Sequence, residues 1–170
     1  NMTKADYSLK IPMIQSRKQT RIPSVWSVED LKKLISAIDR GSPMGKRDYA
    51  IILLACRLGL RVNDIKNLRF ENFRWENNQL MFEQSKTKIS ISLPLLQDVG
   101  WAVIDYLKYG RPKVDTTCVF VRHIAPFLPF SENDHLHRII VKYMRLAHIP
   151  ISSKKRVGMH SLRHTLASLL

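Results

Sequence analysis

Apolar residues recur every three or four positions along several stretches of the chain, and this spacing predicts amphipathic helices. Ser27 and Asp30 form a capping box, so the first helix is expected to begin there and to end before Gly41. A second helix is predicted over Pro43 to Leu58; it is apolar on nearly all sides and should be the central, buried one, terminated by Gly59. Further helices are predicted over residues 62–68, 96–107 and 131–147, and from about residue 160 onward.

The apolar period changes to two between residues 73 and 93, which predicts strands instead of helices. Leu80 and Phe82 alternate with Met81 and Glu83, and Asn77-Asn78 supplies a turn before them. Similar alternation places one strand before that turn and another after it, through Phe73, Trp75, Ile89, Ile91 and Leu93. The predicted fold is therefore mainly α with a small three-stranded antiparallel β-sheet, an α+β class.

Residues 1–26 differ in character from the rest of the chain. They are polar and basic, are interrupted by Pro12 and Pro23, and show no sustained periodicity, so we expect a linker or arm. Asn1 ahead of Met2 is not a natural start, and we interpret it as a tag remnant. Residues 27–170 are expected to form one domain with a hydrophobic core.

The net charge of the chain indicates which class of molecule it binds. Lysine and arginine total 28 against 14 acidic residues, a formal net charge of +14. Such an excess favours binding to a polyanion, most often nucleic acid, because each neutralised phosphate releases condensed counterions. Ribosomal proteins and heparin binders share this property, so charge predicts a partner and not a reaction.

The cysteines and the apolar stretches predict a cytoplasmic protein. Cys56 and Cys118 lie in apolar segments without metal-ligand spacing, so reduced thiols are expected, with no metal site. The longest apolar stretch, Tyr49 to Cys56, is far shorter than the roughly 20 residues that cross a bilayer, and no signal peptide is present. We therefore expect no membrane association.

Three cationic signatures carry the candidate chemistry: Arg61 in Gly59-Leu60-Arg61, Lys86 between two predicted strands, and His160-Ser161-Leu162-Arg163. Guanidinium groups, an ammonium and an imidazole can neutralise and protonate a phosphodiester in transfer. Asp64, within one helical turn of Arg61, could orient its guanidinium. Each signature taken alone is also compatible with an ordinary surface arginine, a solvated hairpin tip or a helix-capping histidine.

The order of these signatures resembles the tyrosine recombinase (phage integrase) family. The strings that carry the resemblance are Leu58-Gly59-Leu60-Arg61-Val62-Asn63-Asp64-Ile65 and His160-Ser161-Leu162-Arg163-His164-Thr165, the second being the stronger signal. The resemblance implies that Arg61 and Arg163 clamp the phosphate, that His160 assists proton transfer at the nucleophile, and that Lys86 protonates the leaving 5′ oxygen. It also implies site-specific recombination through a 3′-phosphotyrosyl intermediate, without cofactor or metal.

The same resemblance implies double-stranded DNA as partner and a recombination tetramer in the full-length protein, of bacterial or phage origin. The arm is then the linker from an upstream DNA-binding domain. Lys88 competes with Lys86 for the hairpin role, and DNA contacts are expected from Lys88, Lys154, Lys155, Arg156 and His164.

This sequence departs from the family pattern at its end. The family has a second histidine or tryptophan and then the nucleophilic tyrosine after the His-x-x-Arg box, but all five tyrosines here precede Arg163. We therefore expect a C-terminally incomplete domain that is inactive by itself. Two alternatives remain: an inactive, integrase-derived DNA-binding regulator, and an unrelated basic nucleic-acid-binding domain in which the signatures need not cluster. Type IB topoisomerases share a similar set of residues, but the motif context favours recombination.

Overall fold

A computed structural model describes residues 26–150, 158–159 and 161–162. The helices of the described region are α1 (Val28–Ser36), α2 (Pro43–Arg57), α3 (Val62–Asn67), α4 (Gln97–Tyr109) and α5 (His137–Leu146). Its strands are β1 (Phe73–Arg74), β2 (Gln79–Glu83) and β3 (Ser90–Pro94), in an antiparallel sheet of that order. The predicted class, mainly helical with a small three-stranded sheet, is confirmed.

Local side-chain chemistry starts the first two helices where the sequence predicted. Ser27 Oγ accepts a hydrogen bond from the Asp30 amide at 3.0 Å, and Ser42 Oγ accepts one from the Gly45 amide at 3.1 Å. Each bond satisfies an amide that has no partner within the helix. Gly45 is also required by space, because a Cβ at this position would collide with the carbonyl oxygen of Asp39.

Helix α2 lies at the centre of the core, as its apolar pattern predicted. Every residue from Ala50 to Cys56 is buried, and α4 packs along the helix. Ile51, Ile52 and Leu54 are completely excluded from solvent. Burial of one such side chain stabilises the fold by about 1.5–3 kcal/mol, so α2 is the element to which the rest of the domain is anchored.

The sheet follows the predicted alternation, with a shorter first strand. Leu80 is fully buried and pairs with Phe73 on one side and Leu93 on the other. Trp75, expected in the first strand, lies in a 3₁₀ turn that ends at Asn78. Asn78 adopts φ 49°, a left-handed conformation that asparagine tolerates better than most residues. The predicted turn at Asn77-Asn78 is therefore present, and β1 ends at Arg74, before Trp75.

The prediction that the fifth helix begins near Ser131 was wrong, because α5 begins at His137. Residues 131–134 form a turn in which Asp134 Oδ2 accepts from the Ser131 amide and hydroxyl at 2.6 and 2.9 Å. The buried Lys66 ammonium donates to the carbonyl oxygens of Ser131, Glu132 and Asp134 at 2.8–3.2 Å. These bonds hold the segment in a turn and occupy carbonyl groups that a helix would use.

A buried ion pair on α2 is joined to α5 by a hydrogen bond. Asp48, 1% exposed, accepts from Arg47 Nη2 at 2.7 Å through Oδ1 and from the Tyr143 hydroxyl at 2.9 Å through Oδ2. Arg47 Nη1 also donates to the Val121 carbonyl oxygen at 3.2 Å. Burial, followed by the nearby Asp48 carboxylate, raises the pKa of Tyr143. Three separate segments of the core, α2, α5 and the segment of Val121, thus meet at this ion pair.

His123 packs against Tyr106, with Nε2 3.4 Å from the phenolic oxygen. Burial, assisted by the charge of Arg47, lowers the pKa of His123 from 6.5 to about 4, while Asp48 acts in the opposite direction. The imidazole therefore stays neutral in the folded protein at pH values where it is protonated in the unfolded chain.

We predict that this histidine makes stability depend on pH. Between pH 6.5 and 4, His123 is protonated in the unfolded chain but neutral in the folded one, so unfolding takes up a proton. The contribution of His123 to the free energy of unfolding is therefore fully present above pH 6.5 and is lost as the pH falls toward 4. The loss should be about 1–2 kcal/mol, reduced from the full shift because the ring is partly exposed. Urea unfolding at several pH values, compared between wild type and His123→Gln, measures it. Parallel pH profiles for the two proteins would contradict the prediction.

Both cysteines are free thiols, as expected. Cys56 is buried, and burial raises its pKa to about 12, whereas Cys118 is only partly buried. None of the helices in the described ranges has the length and apolar character needed to cross a membrane.

Candidate active site

The junction between α2 and α3 positions Arg61. Gly59 adopts φ 62°, which ends α2, and the Leu60 amide donates to the Leu54 carbonyl oxygen at 3.2 Å. Arg61 is the N-cap residue of α3, and its carbonyl oxygen accepts a hydrogen bond from the Ile65 amide at 3.0 Å. The backbone of Arg61 is therefore held by the end of the most deeply buried helix.

The Arg61 guanidinium has an unsatisfied hydrogen-bond donor. Its Nη1 atom is buried and has no hydrogen-bond partner among the described residues. A buried donor without an acceptor costs about 1–3 kcal/mol, and an anion would remove that cost. The guanidinium fork matches the oxygens of a phosphate group.

Lys86 lies at the tip of the connection between β2 and β3. The Gln84 amide donates to the Ile89 carbonyl oxygen and the Lys88 amide to the Gln84 carbonyl oxygen, both at 2.9 Å. These bonds close the hairpin, and Lys86 is exposed at its end. A long side chain on such a tip can turn toward a ligand without disturbing the sheet.

Asp64 connects this hairpin to α3. It is 3% exposed, and its Oδ1 accepts from the Ser85 amide at 2.9 Å. The side-chain amide of Asn67 adds a weaker bond to Ser85 Oγ at 3.4 Å. Within the described ranges, Asp64 forms no ion pair with Arg61, and its role in orienting that guanidinium stays a prediction. Asp64 fixes the residue that precedes Lys86.

Arg61 and Lys86 line the same cleft, which has a volume of about 490 Å³. Asp64, Ser85 and Met159 also line it, together with Leu60, Val62 and Asn63. Met159 is the residue before His160 in the sequence, so the cleft brings together sequence neighbours of all three cationic signatures. The scattering expected of an unrelated basic protein is not observed for the described members of the set.

The remaining predicted residues divide into two groups. Lys88 is described, and its ammonium lies 3.8 Å from Glu83 Oε1 with most of the side chain exposed; it does not line the cleft. The others lie outside the described residues: His160, Arg163, His164, Lys154, Lys155 and Arg156. Their predicted roles remain predictions.

The start of the His-x-x-Arg box is anchored in the core. Met159, Ser161 and Leu162 are helical, in agreement with the predicted final helix, and Leu162 is completely buried. Ser161 Oγ accepts a hydrogen bond from Trp26 Nε1 at 2.9 Å. Sequence reasoning missed this contact, because no local pattern connects two residues that are 135 positions apart.

The described tyrosines lie away from the cleft. Tyr106 and Tyr143 are buried, and burial raises the pKa of Tyr106 to about 12. Tyr109 is exposed on α4, and Tyr49 is partly buried on α2. None of these four lines the cleft. Within the same part of the chain, no group of three or more histidine, cysteine, aspartate or glutamate side chains could hold a metal ion.

Comparison with known proteins gives a consistent result. The model of the phage integrase family matches residues 25–170. A protein of Sinorhizobium fredii named as an integrase/recombinase is 32% identical over 164 residues, which cover 96% of this chain and 39% of the relative. The tyrosine recombinase XerC of Caldanaerobacter subterraneus is 31% identical over 150 residues, which cover 88% of this chain and 40% of that protein. The chain thus spans about two fifths of these relatives.

Solved structures show the same fold. The XerA recombinase superposes with a TM-score of 0.72 at 23% identity, covering 98% of this chain and 54% of that one. A lambda integrase tetramer bound to a Holliday junction superposes with a TM-score of 0.63 at 20% identity, and the match covers 89% of this chain and 44% of the integrase chain. Since the family match extends over most of the sequence and includes the cleft, the chain belongs to the phage integrase family.

Proposed function

We propose that this chain is the catalytic domain of a site-specific DNA recombinase that breaks and rejoins DNA by phosphoryl transfer. The observation that carries the proposal is the cleft that Arg61 and Lys86 both line, together with the buried Nη1 of Arg61, which has no hydrogen-bond partner among the described residues. A guanidinium donor without a protein acceptor, next to a mobile ammonium, is suited to a scissile phosphate.

In the proposed reaction a tyrosine hydroxyl attacks phosphorus and the bond from phosphorus to the 5′ oxygen breaks. The tyrosine proton passes to His160, and Lys86 supplies the proton that the departing 5′ oxygen needs. Arg61 and Arg163 neutralise the charge on the non-bridging oxygens. The resulting 3′-phosphotyrosyl ester retains the energy of the original bond, so a second 5′ hydroxyl can reverse the step on a partner strand.

None of the four described tyrosines lines the cleft, so the proposal places the attacking tyrosine outside the described residues. Double-stranded DNA is the proposed substrate, and four copies would assemble on it to exchange strands; the lambda integrase tetramer on a Holliday junction supports this arrangement. Lys88, which does not line the cleft, is a proposed DNA contact, as are four basic residues outside the described ranges: Lys154, Lys155, Arg156 and His164. The proposed location is the cytoplasm, where the DNA substrate is found.

The proposal is tested by reading the gene past the codon for Leu170 and expressing the full reading frame. Incubation with nicked duplexes containing the protein's own recombination site should trap a covalent protein–DNA adduct that withstands denaturant. Replacing the first tyrosine after the box by phenylalanine should abolish the adduct. Salt-dependent DNA binding without any adduct would instead identify the inactive, integrase-derived regulator.

We predict that Lys86→Ala slows cleavage by that full-length protein about 10²- to 10⁴-fold, because the leaving oxygen loses its acid. A substrate with sulfur in place of the bridging 5′ oxygen should largely restore the rate, since a thiolate leaves without being protonated. Single-turnover cleavage of both substrates measures the effect. Lys88→Ala, on the same hairpin, is the matched control and should affect both substrates equally. An equal defect of Lys86→Ala on both substrates would exclude the acid role.

A further inference from the structure

The indole of Trp26 and the hydroxyl of Ser161 join the beginning of the described chain to the cationic box near its end. Their hydrogen bond measures 2.9 Å, and Ser161 is 5% exposed. We propose that Trp26 is a positioning residue for the box, acting through Ser161 on His160 and Arg163; this inference rests on the proposed function.

The hydroxyl of Ser161 is firmly fixed. It donates to the Gly158 carbonyl oxygen at 2.6 Å and accepts from the Gly158 amide at 3.3 Å, in addition to its bond from Trp26. These contacts use its one donor and two acceptor sites. The bonds to Gly158 close the first turn of the box helix, and the bond from Trp26 attaches that turn to α1.

The apolar contacts of the box cannot provide the same precision. Met159 and Leu162 are buried in the core at 3% and 0% exposure. Apolar burial is non-directional, so it fixes the depth of the turn more strongly than its rotation. A hydrogen bond weakens steeply when its angle departs from linear, so the indole adds a directional constraint. Ser161 adjoins His160 and precedes Arg163 by two residues in the sequence, so a constraint there bears on both.

Trp26 is itself well placed to serve as a fixed point. Its ring packs against the core, and it directly precedes Ser27, which caps α1. Helix α1 in turn packs against α5, whose first residue, His137, lies closest to the position that a Cβ on Gly158 would take. The start of the box therefore lies beside the N-terminal ends of α1 and α5, and the indole N–H is one polar attachment there.

The hydrogen bond can be observed directly in the 170-residue chain, which contains three tryptophans. In a ¹⁵N-labelled sample, Trp26→Phe assigns the indole N–H signal of Trp26 by removing it. Ser161→Ala should shift that signal and speed its exchange with water, and Ser161→Thr, which keeps the hydroxyl, should restore it. A Trp26 signal that Ser161→Ala leaves unchanged would overturn the inference.

Affinity for a short duplex of arbitrary sequence tests the functional part. Trp26→Phe keeps an aromatic ring but removes the donor, and it should weaken binding roughly 2- to 10-fold, the range for one lost hydrogen bond. In an Arg163→Ala background the same change should have no further effect, because the box contact that it positions is already gone. Ser161→Ala provides a second variant with the same expectation, and Ser161→Thr should bind like wild type.

Trp101→Phe is the matched control, since Trp101 is 62% exposed on α4 and its indole should not influence the box. Normal binding by Trp26→Phe and Ser161→Ala, or effects that simply add to that of Arg163→Ala, would overturn the positioning role. If Arg163→Ala itself binds DNA normally, the proposed function fails instead. The two failures are thus distinguishable in one set of titrations.

Discussion

Replacing Arg61 by alanine should lower DNA cleavage by the full-length protein about 10²- to 10³-fold, the usual cost of removing one donor that stabilises transition-state charge. The fold should be little affected, because Nη1 of Arg61 has no acceptor to lose among the described residues. In the 170-residue chain, the slope of log affinity against log salt should fall by about 0.9 for the lost phosphate contact. Single-turnover cleavage and salt titrations measure the two effects.

Arg57→Ala is the matched control for Arg61. Arg57 ends α2, four positions earlier, and forms an exposed ion pair with Asp98 at 2.9 Å. Such pairs contribute about 0–1 kcal/mol, so this variant should lose little stability and retain cleavage. Wild-type cleavage and an unchanged salt slope for Arg61→Ala would remove the phosphate clamp from the proposed mechanism.

Replacing Asp48 by asparagine should reduce the free energy of unfolding by about 3–5 kcal/mol. The substitution preserves shape but leaves the Arg47 guanidinium buried at 7% exposure without its counter-charge. It also weakens the acceptor for the Tyr143 hydroxyl, which joins α5 to α2. Urea unfolding at neutral pH measures the loss.

A surface carboxylate provides the comparison for Asp48. Asp98→Asn breaks the exposed pair with Arg57 and should cost no more than about 1 kcal/mol. If Asp48→Asn cost as little, the buried ion pair of Asp48 with Arg47 would contribute no more to the free energy of unfolding than the exposed pair. The two variants make the same chemical change, so their difference isolates burial.

The elements that were predicted correctly are those determined by neighbours in the sequence. The cap at Ser27, the start of α2 at Pro43, the break at Gly59 and the alternation around Leu80 depend on contacts within a few residues. The spacing of apolar residues indicates which side chains are buried, and burial determines where these helices and strands form. The helical class and the small sheet could therefore be derived from the amino-acid sequence alone.

The errors occurred where a distant residue decides the local structure. The start of α5 is displaced because Lys66, on α3, binds the carbonyl groups of residues 131–134. The bond from the Ser85 amide to Asp64 was not predicted either, because Ser85 is 21 positions away in sequence and only the fold brings it to that carboxylate. Arg61 and Lys86 could be proposed as a pair from the family resemblance, but only the fold shows that they share a cleft.

The two described cations of the cleft are attached to very different parts of the molecule. Arg61 follows α2, whose interior is closed to solvent, so displacing its backbone requires disruption of the core. Lys86 is at the exposed tip of a hairpin, where Ser85 is attached to α3 by two hydrogen bonds, from its amide to Asp64 and from Asn67 to its hydroxyl. The free energy of opening the hairpin tip should therefore be much smaller than that of unfolding the domain, so local opening is the more frequent event. Under the proposed function, Arg61 holds the phosphate from a fixed position while Lys86 approaches the leaving oxygen from a movable one, so DNA binding precedes proton transfer.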